Sequence, residues 1–484
     1  MLKEFKEIIE LSKKEKINTY LVGGYLRDIL LKKKSLDVDL VVSKNAGAFS
    51  KKLAKILNGT SFVLHSDMHI YRIAVFNNLE IKYVDVSLMQ GKNIEEDLLA
   101  RDFTVNALAV DIGKFDNLKK NLIDVSCGIK DLKDKKIKAV SKNIFKQDPL
   151  RILRAFRIAC EYNFTISQDT VKLMKKSVPA LAGIAKERIK NEFFRILNSR
   201  NSSRYLAVMD DIGALDVLFP MIKNMKSSAK SFYYHPKGLF QHCFQTYESL
   251  EKILSKLDKY FPKTKDTLEN NLNENYSEYV TARSLLKFAA LFHDCAKPEC
   301  AKRMDNKMRF LGHEELGAQK TAQIMKELKM SKKEINFVKN IIAEHMRPSN
   351  LTKAPVVTVR AQHRLFRDLK EYTPDIMIMA MADWHSYRNL KVKVYPAKVL
   401  KQQEKTVAEM IFNYFEFINT KPKVKIIDGN ILMKEFKLKP GKIIGDLLSH
   451  INALYDDGRI KDKKQALFFA KSQLTALKKK YKIK

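Results

Sequence analysis

Asp37 and Asp39 stand two residues apart inside the run Leu36-Asp37-Val38-Asp39-Leu40-Val41-Val42, and this pair constrains the fold more sharply than anything else in the chain. The β-branched and leucine neighbours predict a strand, in which side chains alternate and both carboxylates emerge on one face. Aspartate is a poor strand former and like charges on one face repel, so something positive must compensate. A divalent cation fits that need: hard Mg²⁺ takes one or two carboxylates together with substrate phosphates, the arrangement that nucleotidyl transfer uses. Upstream, Tyr20-Leu21-Val22-Gly23-Gly24-Tyr25-Leu26-Arg27-Asp28 predicts a strand, a glycine turn and a helix start. Paired glycines let a backbone approach phosphate closely at a helix N-terminus. Read alone, the turn is more readily a tight strand-to-helix connection. Asp85, in Ile81-Lys82-Tyr83-Val84-Asp85-Val86, is a candidate third carboxylate and equally a solvated strand-end residue.

Around these residues, short β-rich runs (NTYLV, LDVDLVV, SFVLH, YRIAVF, IKYVDV) surround one helical stretch, AGAFSKKLAKILN, up to about residue 125. The opening MLKEFKEIIELSKKEKI interleaves charge with apolar residues at helical spacing and has no apolar signal-peptide core. From Asp148 onward helical periodicity dominates, as in PLRILRAFRIACEYN and LLKFAALFHD. Breaks are expected near 223–231 and near 419–429, and the Asn-rich run 261–279 is expected to be a mobile loop. No tandem repeat stands out.

Ninety basic residues against 55 acidic ones leave a formal charge of +35 on 484 residues. An enzyme of small neutral metabolites needs no such surface, whereas a protein following a phosphate backbone does. A lysine-rich coding bias would give the same sum, so the motifs must decide. No run of about 18 uncharged apolar residues occurs, so no membrane span or membrane partner is expected. Five cysteines without a C-x-x-C pair point to a reducing compartment, with the cytoplasm as default.

Five ordered segments resemble the class II tRNA nucleotidyltransferases (CCA-adding enzymes) and the related bacterial poly(A) polymerases, of the polymerase-β-like superfamily. They are the Gly-Gly and D-x-D pair; Arg101-Asp102-Phe103-Thr104-Val105-Asn106-Ala107; Asp124-Val125-Ser126-Cys127-Gly128-Ile129-Lys130-Asp131-Leu132; Gln147-Asp148-Pro149-Leu150-Arg151; and Glu187-Arg188 with Glu192. The resemblance implies that Asp37 and Asp39 are catalytic and bind Mg²⁺. It also implies that Gly23, Gly24 and Arg27 position phosphates, and that Asp102 and Asn106, beside Arg101, hold the nucleotide ribose. Asp148 and Arg151 would read the base as another base would, selecting CTP and then ATP. Their donors and acceptor suit that task, and an i,i+3 ion pair would look the same. Arg154 and Arg157 continue a basic stripe that could face triphosphate or primer, and a helix packed on one side would show the same stripe. Two positions depart from the family pattern: Gln147 replaces a glutamate and Ala100 an arginine. The connection Ser87–Leu99 is also shorter than in many relatives, which keeps enzymes restricted to CC or to A addition in play.

Downstream, His242, His293-Asp294, His313, His345 and Asp383 lie in separate helical segments and can converge on one mixed nitrogen and oxygen metal site. The set resembles the HD phosphohydrolase superfamily, in which His313 and His345 match the extra histidines of members holding two metals. Lys297 matches a lysine that could contact phosphate. Mn²⁺, Ni²⁺ or Mg²⁺ is the implied ion, and phosphatase or 2′,3′-cyclic phosphodiesterase action on RNA ends the implied chemistry. A degenerate HD scaffold is the alternative. The segment Ile427-Asp428-Gly429 to Gly445, with Lys434, Lys437 and Lys439, is similar to the C-terminal unit of HD-containing CCA enzymes.

The expected fold class is therefore α+β. A small mixed-sheet nucleotidyltransferase head (1–135) precedes a helical neck for RNA and base binding (136–225), an all-α HD domain (226–418) and a helical C-terminal tRNA-binding unit (419–484). The expected activity is CCA addition, in full or in part, to tRNA from CTP and ATP. Poly(A) polymerase is the near alternative, and an HD hydrolase with a regulatory nucleotide-binding head is the alternative from another class. A pure RNA-binding role explains the charge and neither constellation. The oligomeric state is not legible in the sequence.

Overall fold

The computed structural model describes the chain except residues 1–2, 66–68, 77–79, 229–237, 306, 353–356, 388–395, 420–425, 457–458 and 482–484. The breaks expected near 223–231 and 419–429 lie in part outside the described residues. The chain forms two compact units, Met1–Asn224 and, apart from a short stretch, Met225–Lys484.

In the first unit a seven-stranded sheet runs in the order β3-β4-β5-β2-β1-β6-β7. Its strands are β1 (Thr19–Val22), β2 (Asp37–Val42), β3 (Gly59–His65), β4 (Ile70–Val75), β5 (Tyr83–Leu88), β6 (Leu108–Asp111) and β7 (Ile123–Asp124). Only β2 and β5 run parallel; the other neighbours are antiparallel, so the sheet is mixed as expected. The opening helix Lys3–Glu15 buries Phe5, Ile8 and Leu11, the stripe that its spacing predicted. Val38, Leu40 and Val42 are buried on one face of β2, while Asp37, Asp39 and the buried Val41 alternate onto the other.

The short connection after β5 is a pinned element rather than a loop. Asn93 caps the helix Ile94–Leu99, whose Ile94 and Leu98 bury against Val22, Val41 and Ala109. The Asp97 carboxylate accepts the Gln90 N–H at 2.9 Å and the Arg101 Nε–H at 3.0 Å. Further on, Asp124 accepts N–H bonds from Gly128 (2.8 Å) and Ile129 (2.9 Å), opening the helix Gly128–Lys133. A side chain at Gly128 would sit 2.2 Å from the Thr104 carbonyl, so only glycine fits there. The Thr104 hydroxyl in turn donates to Asp131 at 2.7 Å.

Helices make up the rest of this unit. Asp148 is extended (φ −141°, ψ 101°), as a residue before proline prefers, and so breaks the chain between Ile144–Gln147 and the helix Arg151–Tyr162. That helix packs on Lys186–Asn198.

The second unit is built around the helices Leu239–Leu254, Ala282–Phe292, Lys332–Glu344 and Thr373–Ser386, each packed against at least one of the others. The run 261–279, expected to be a loop, instead holds the helix Lys265–Leu272 and a strand, Asn275–Ser277, paired with Val280–Thr281. Phe261, Leu268 and Leu272 are buried there, so a sparse apolar face outweighs the asparagines and lysines between them. Helices Gly429–Phe436, Lys442–Asp456 and Lys463–Tyr481 share a core of Leu432, Ile443, Leu447, Ile451, Ala466 and Ala470. No helix among the described residues is long and apolar enough to cross a membrane.

Candidate active sites

Strand register builds the first site. Asp39 on β2 is the direct partner of Asp85 on β5, and Asp37 the partner of Tyr83. Asp85 is the third carboxylate, but it is not a solvated strand end: the Arg72 guanidinium on β4 grips it through Nε and Nη2, both at 2.8 Å. Among the described residues Asp39 receives only a main-chain bond, from the Gly24 N–H to Oδ2 at 3.0 Å. Burial, and then the charge of Asp85, push the Asp39 carboxyl up to about 6, against the pull of Arg101. Burial raises the Asp37 carboxyl too, with Arg72 opposing and Asp85 adding. This carboxylate face, exposed at Asp37 and half-buried at Asp39, has the all-oxygen donor chemistry that a hard divalent cation requires.

Gly23 is bound up with this carboxylate. Its φ is +69°, and a Cβ there would lie 2.9 Å from Asp39 Oδ2 and 3.3 Å from Arg101 Nη1. The glycine turn thus admits the aspartate rather than simply joining a strand to a helix.

A cavity of about 480 Å³ opens beside Asp39 and Asp85, and Arg72, Arg101, Asp102, Asp148, Arg151, Arg154 and Arg188 line it. Asp102 is central. Its Oδ2 accepts from Arg154 Nε (3.0 Å) and Nη2 (2.8 Å), and its Oδ1 from the Phe103 N–H and Asn106 Nδ2. Burial alone would raise its carboxyl, yet Arg154 and Asn106 hold it well below the usual carboxylate range. Asp148 Oδ2 accepts from Arg188 at 2.9 Å, and Oδ1 from the Leu150 N–H at 3.0 Å. The alternative i,i+3 ion pair does not form, and Arg151 instead reaches Gln147 and the Ala100 carbonyl, each at 3.4 Å.

Arg27, Asn106 and Arg157 sit behind the cavity wall. The Arg27 guanidinium is buried and donates to Asp28 (3.0 Å), Asn106 (2.7 Å) and Tyr162 (2.7 Å). Arg157 is buried on Glu192 (2.6 Å) and Glu161 (3.0 Å), so the basic stripe divides: Arg151 and Arg154 face the cavity, and Arg157 faces the packed side. Sequence reading missed Arg72, and it gave Arg188 no direct role. The signal for Arg72 was a lone arginine in a strand that an antiparallel hairpin brings against Asp85.

The second site gathers all six residues expected of it. His293 and His345 follow the helices Ala282–Phe292 and Lys332–Glu344, His313 opens His313–Glu327, and His242 and Asp383 come from Leu239–Leu254 and Thr373–Ser386. Asp294 Oδ2 is 3.3 Å from Nε2 of both His242 and His293; Oδ1 is 3.2 Å from His313 Nε2 and 3.7 Å from His345 Nε2. Asp383 Oδ1 stands 3.1 Å from His242 Nε2. Two ligand groups emerge, His242, His293 and Asp383, and His293, Asp294 and His345.

Main-chain carbonyls hold the Nδ1 atoms: Ala290 for His293 (3.0 Å), Phe310 for His313 (2.6 Å) and Ile342 for His345 (2.7 Å). That aims each Nε2 inward. The Nε2 atoms of His293, His313 and His345 and Oδ1 of Asp383 are buried without a well-formed hydrogen bond among the described residues, a costly state unless a cation receives them. Burial opposes ionisation of Asp294, yet the His293 imidazole and the Lys297 ammonium, 2.5 Å away, hold its carboxyl well below the ordinary range.

Three family models match: the Poly A polymerase head domain over residues 19–138, the Probable RNA and SrmB- binding site of polymerase A over 163–226, and the HD domain over 239–388. The multifunctional CCA protein of Cupriavidus metallidurans is 30% identical over 323 residues, 65% of this chain and 71% of that protein. The CC-adding tRNA nucleotidyltransferase of Synechocystis is 26% identical over 463 residues, 93% of this chain and 92% of that protein. Among solved structures, the Thermotoga maritima CCA-adding enzyme complexed with tRNA-CCA superposes with a TM-score of 0.61 at 21% identity, covering 97% of this chain and 94% of that one.

Proposed function

This chain belongs to the tRNA nucleotidyltransferase family of CCA-adding enzymes and carries an HD domain, and from that premise we propose that it extends tRNA 3′ ends with CCA, or part of it, from CTP and ATP. The observation that carries the reading is the Asp39 and Asp85 pair, with Asp37 on the same strand face, beside a cavity lined by five arginines. Mg²⁺ held by Asp37 and Asp39 would supply the positive charge that eases loss of the 3′-hydroxyl proton and stabilises the departing pyrophosphate. The 3′-oxygen bonds to the α-phosphorus as the bond to the β-phosphate breaks.

The chain's own residues position the reactants. Gly23 and Gly24 seat the Asp39 carboxylate. Arg101 and Arg154 face the triphosphate; Asp102, braced by Asn106 and Arg27, addresses the ribose; Asp148 and Arg151 address the base. Arg157 holds the helix Arg151–Tyr162 in place through Glu192.

The HD residues His242, His293, Asp294, His313, His345 and Asp383 support a second activity, metal-dependent phosphoester hydrolysis. The inward-facing Nε2 atoms favour it over an inert scaffold. The mixed donors suit Mn²⁺ or Ni²⁺ as well as Mg²⁺, and the bound ion would supply Lewis acidity toward a phosphoryl oxygen.

The deciding experiment incubates the protein with Mg²⁺ and tRNA transcripts ending at the discriminator base, at C or at CC, with CTP and ATP singly and together. Completion of all three marks full CCA addition. Arrest after CC, or A added only to the CC-ended transcript, marks a half-pathway enzyme. Long A tails mark a poly(A) polymerase, and no incorporation moves the function to the HD site.

A further inference from the structure

The helix Arg151–Tyr162 is tied to the sheet-bearing head near both of its ends. In its first turn, Arg154 donates to Asp102 Oδ2 at 3.0 and 2.8 Å. At its last residue, the Tyr162 hydroxyl donates to Asp28 Oδ1 at 2.6 Å and accepts from Arg27 Nη2 at 2.7 Å. Arg27 and Asp28 belong to the helix Gly23–Leu30, which begins at the glycine turn that seats Asp39. The two ties also meet each other. Arg27 Nη1 donates to Asn106 Oδ1 at 2.7 Å and Asn106 Nδ2 donates to Asp102 Oδ1 at 3.0 Å, closing a ring from Arg154 through Asp102, Asn106 and Arg27 back to Tyr162.

Chemistry fixes every proton in this ring. A guanidinium only donates and an ionised carboxylate only accepts, so the hydroxyl between Arg27 and Asp28, and the amide between Arg27 and Asp102, can each face one way only. Arg154 and Tyr162 are eight residues apart, more than two helical turns. A helix held at one point can pivot about it, whereas one held at two has its tilt set. The neighbouring helix Lys186–Asn198 travels with it, because Arg157 bonds Glu192 at 2.6 Å and Arg195 bonds Glu161 at 2.9 Å. Arg188 on that neighbour holds Asp148. Asp148, Arg151 and Arg188 therefore move with this helix pair, while Asp37 and Asp39 stay with the sheet.

We propose that Tyr162 is a positioning residue for nucleotide selection. Its hydroxyl sets the tilt of the helix Arg151–Tyr162, and so the offset between the residues that address the base and the carboxylates that serve the reacting phosphate. The inference rests on the activity and the base-addressing roles proposed above, and adds to them a residue outside the cavity lining.

The test measures incorporation of CTP, ATP and UTP by the full chain on whichever tRNA transcript the wild type extends. Tyr162→Phe deletes the hydroxyl and keeps the ring. It is expected to raise KM for the preferred nucleotide about tenfold while kcat changes by less than about threefold. Preference for that nucleotide over UTP is expected to fall about fivefold. Preference is a ratio of kcat/KM values and does not depend on the folded fraction, so the variant stays informative even where it lowers Tm. Lys33→Ala serves as the control: it removes an exposed cation 4.2 Å from the centroid of the same ring, keeps the hydroxyl, and is expected to leave preference at the wild-type value. Equal loss of preference in both variants would overturn the role given to the hydroxyl. A uniform fall in kcat for every nucleotide with preference unchanged would mark a purely structural residue and overturn the proposal, as would wild-type values throughout. Absent incorporation by the wild type on every transcript removes the proposed activity and this inference with it. Normal wild-type incorporation beside an insensitive Tyr162→Phe counts against the inference alone.

Discussion

Asp39 and Asp85 face each other across the parallel strands β2 and β5, and Arg72 holds the second of them in a two-point grip. A direct like-charge pair destabilises a sheet. Arg72 answers for one carboxylate, and the other is left for a cation.

Arg72→Gln removes that answer. With Asp85 no longer gripped, the Asp39 carboxyl is expected to hold its proton to still higher pH. Activity that needs the ionised form would then fail earlier on acidification. The acid limb of kcat/KM for nucleotide incorporation should move up by about one pH unit. An unmoved limb would show that Arg72 does not balance these carboxylates.

Divalent metal should stabilise the protein in a pH-dependent way. The Asp39 carboxyl stands at about 6 in the fold, above its value near 4 in an unfolded chain. Its contribution to stability is therefore complete below about pH 4 and is lost as the pH rises through about 6. Cation binding to the ionised carboxylate recovers that loss. The rise in Tm on adding Mg²⁺ is expected to grow from pH 5 to pH 7.5, reaching about 2 °C or more. Asp39→Asn should flatten this dependence in a thermal shift series.

Gly23→Ala combines a left-handed backbone, costing about 1–2 kcal/mol, with a methyl group 2.9 Å from Asp39 Oδ2. We expect a lower Tm and a fall in kcat of about a hundredfold, because the carboxylate must move. Gly24→Ala meets nothing nearer than 3.4 Å and should be milder in both readouts. Equal damage from the two substitutions would remove the special place given to Gly23.

The two sites should fail independently. Asp39→Asn is expected to lower nucleotide incorporation by at least about a thousandfold and to spare hydrolysis of a 2′,3′-cyclic phosphate. His293→Ala should do the reverse. Parallel loss of both activities in either variant contradicts separate sites.

Arg188 holds Asp148 at 2.9 Å and should act through it. Arg188→Ala is expected to reduce discrimination between CTP and ATP and against UTP by about tenfold, with kcat on the preferred nucleotide little changed. Steady-state competition between nucleotides measures this. A uniform fall for every nucleotide would point to a structural role.

The legible part of the chain was local. Alternation in 36–42 placed Asp37 and Asp39 on one strand face, and the histidines and aspartates spread over separate helical segments stood out as a candidate metal-site set. What depended on register between distant segments was not legible. Nothing near Arg27 in the chain announces that Asn106 and Tyr162 will surround it. Arg72 meets Asp85 only because β4 and β5 pair in one register, since a shift of one residue would send it to the other face. The helix in 261–279 was hidden because Phe261, Leu268 and Leu272 fix it through burial, while composition counts only the polar majority.

The difference in donor atoms between the two sites reaches beyond structure. The candidate donors of the Asp37 and Asp39 face are all carboxylate oxygens, whereas imidazole nitrogen dominates the HD cluster. Nitrogen donors rank first-row ions steeply, and hard carboxylates accept the abundant magnesium of any growing cell. One polypeptide would then draw on two mineral supplies. If the HD cluster takes a transition metal, scarcity of that metal would slow the HD chemistry while tRNA end synthesis, running on magnesium, continued.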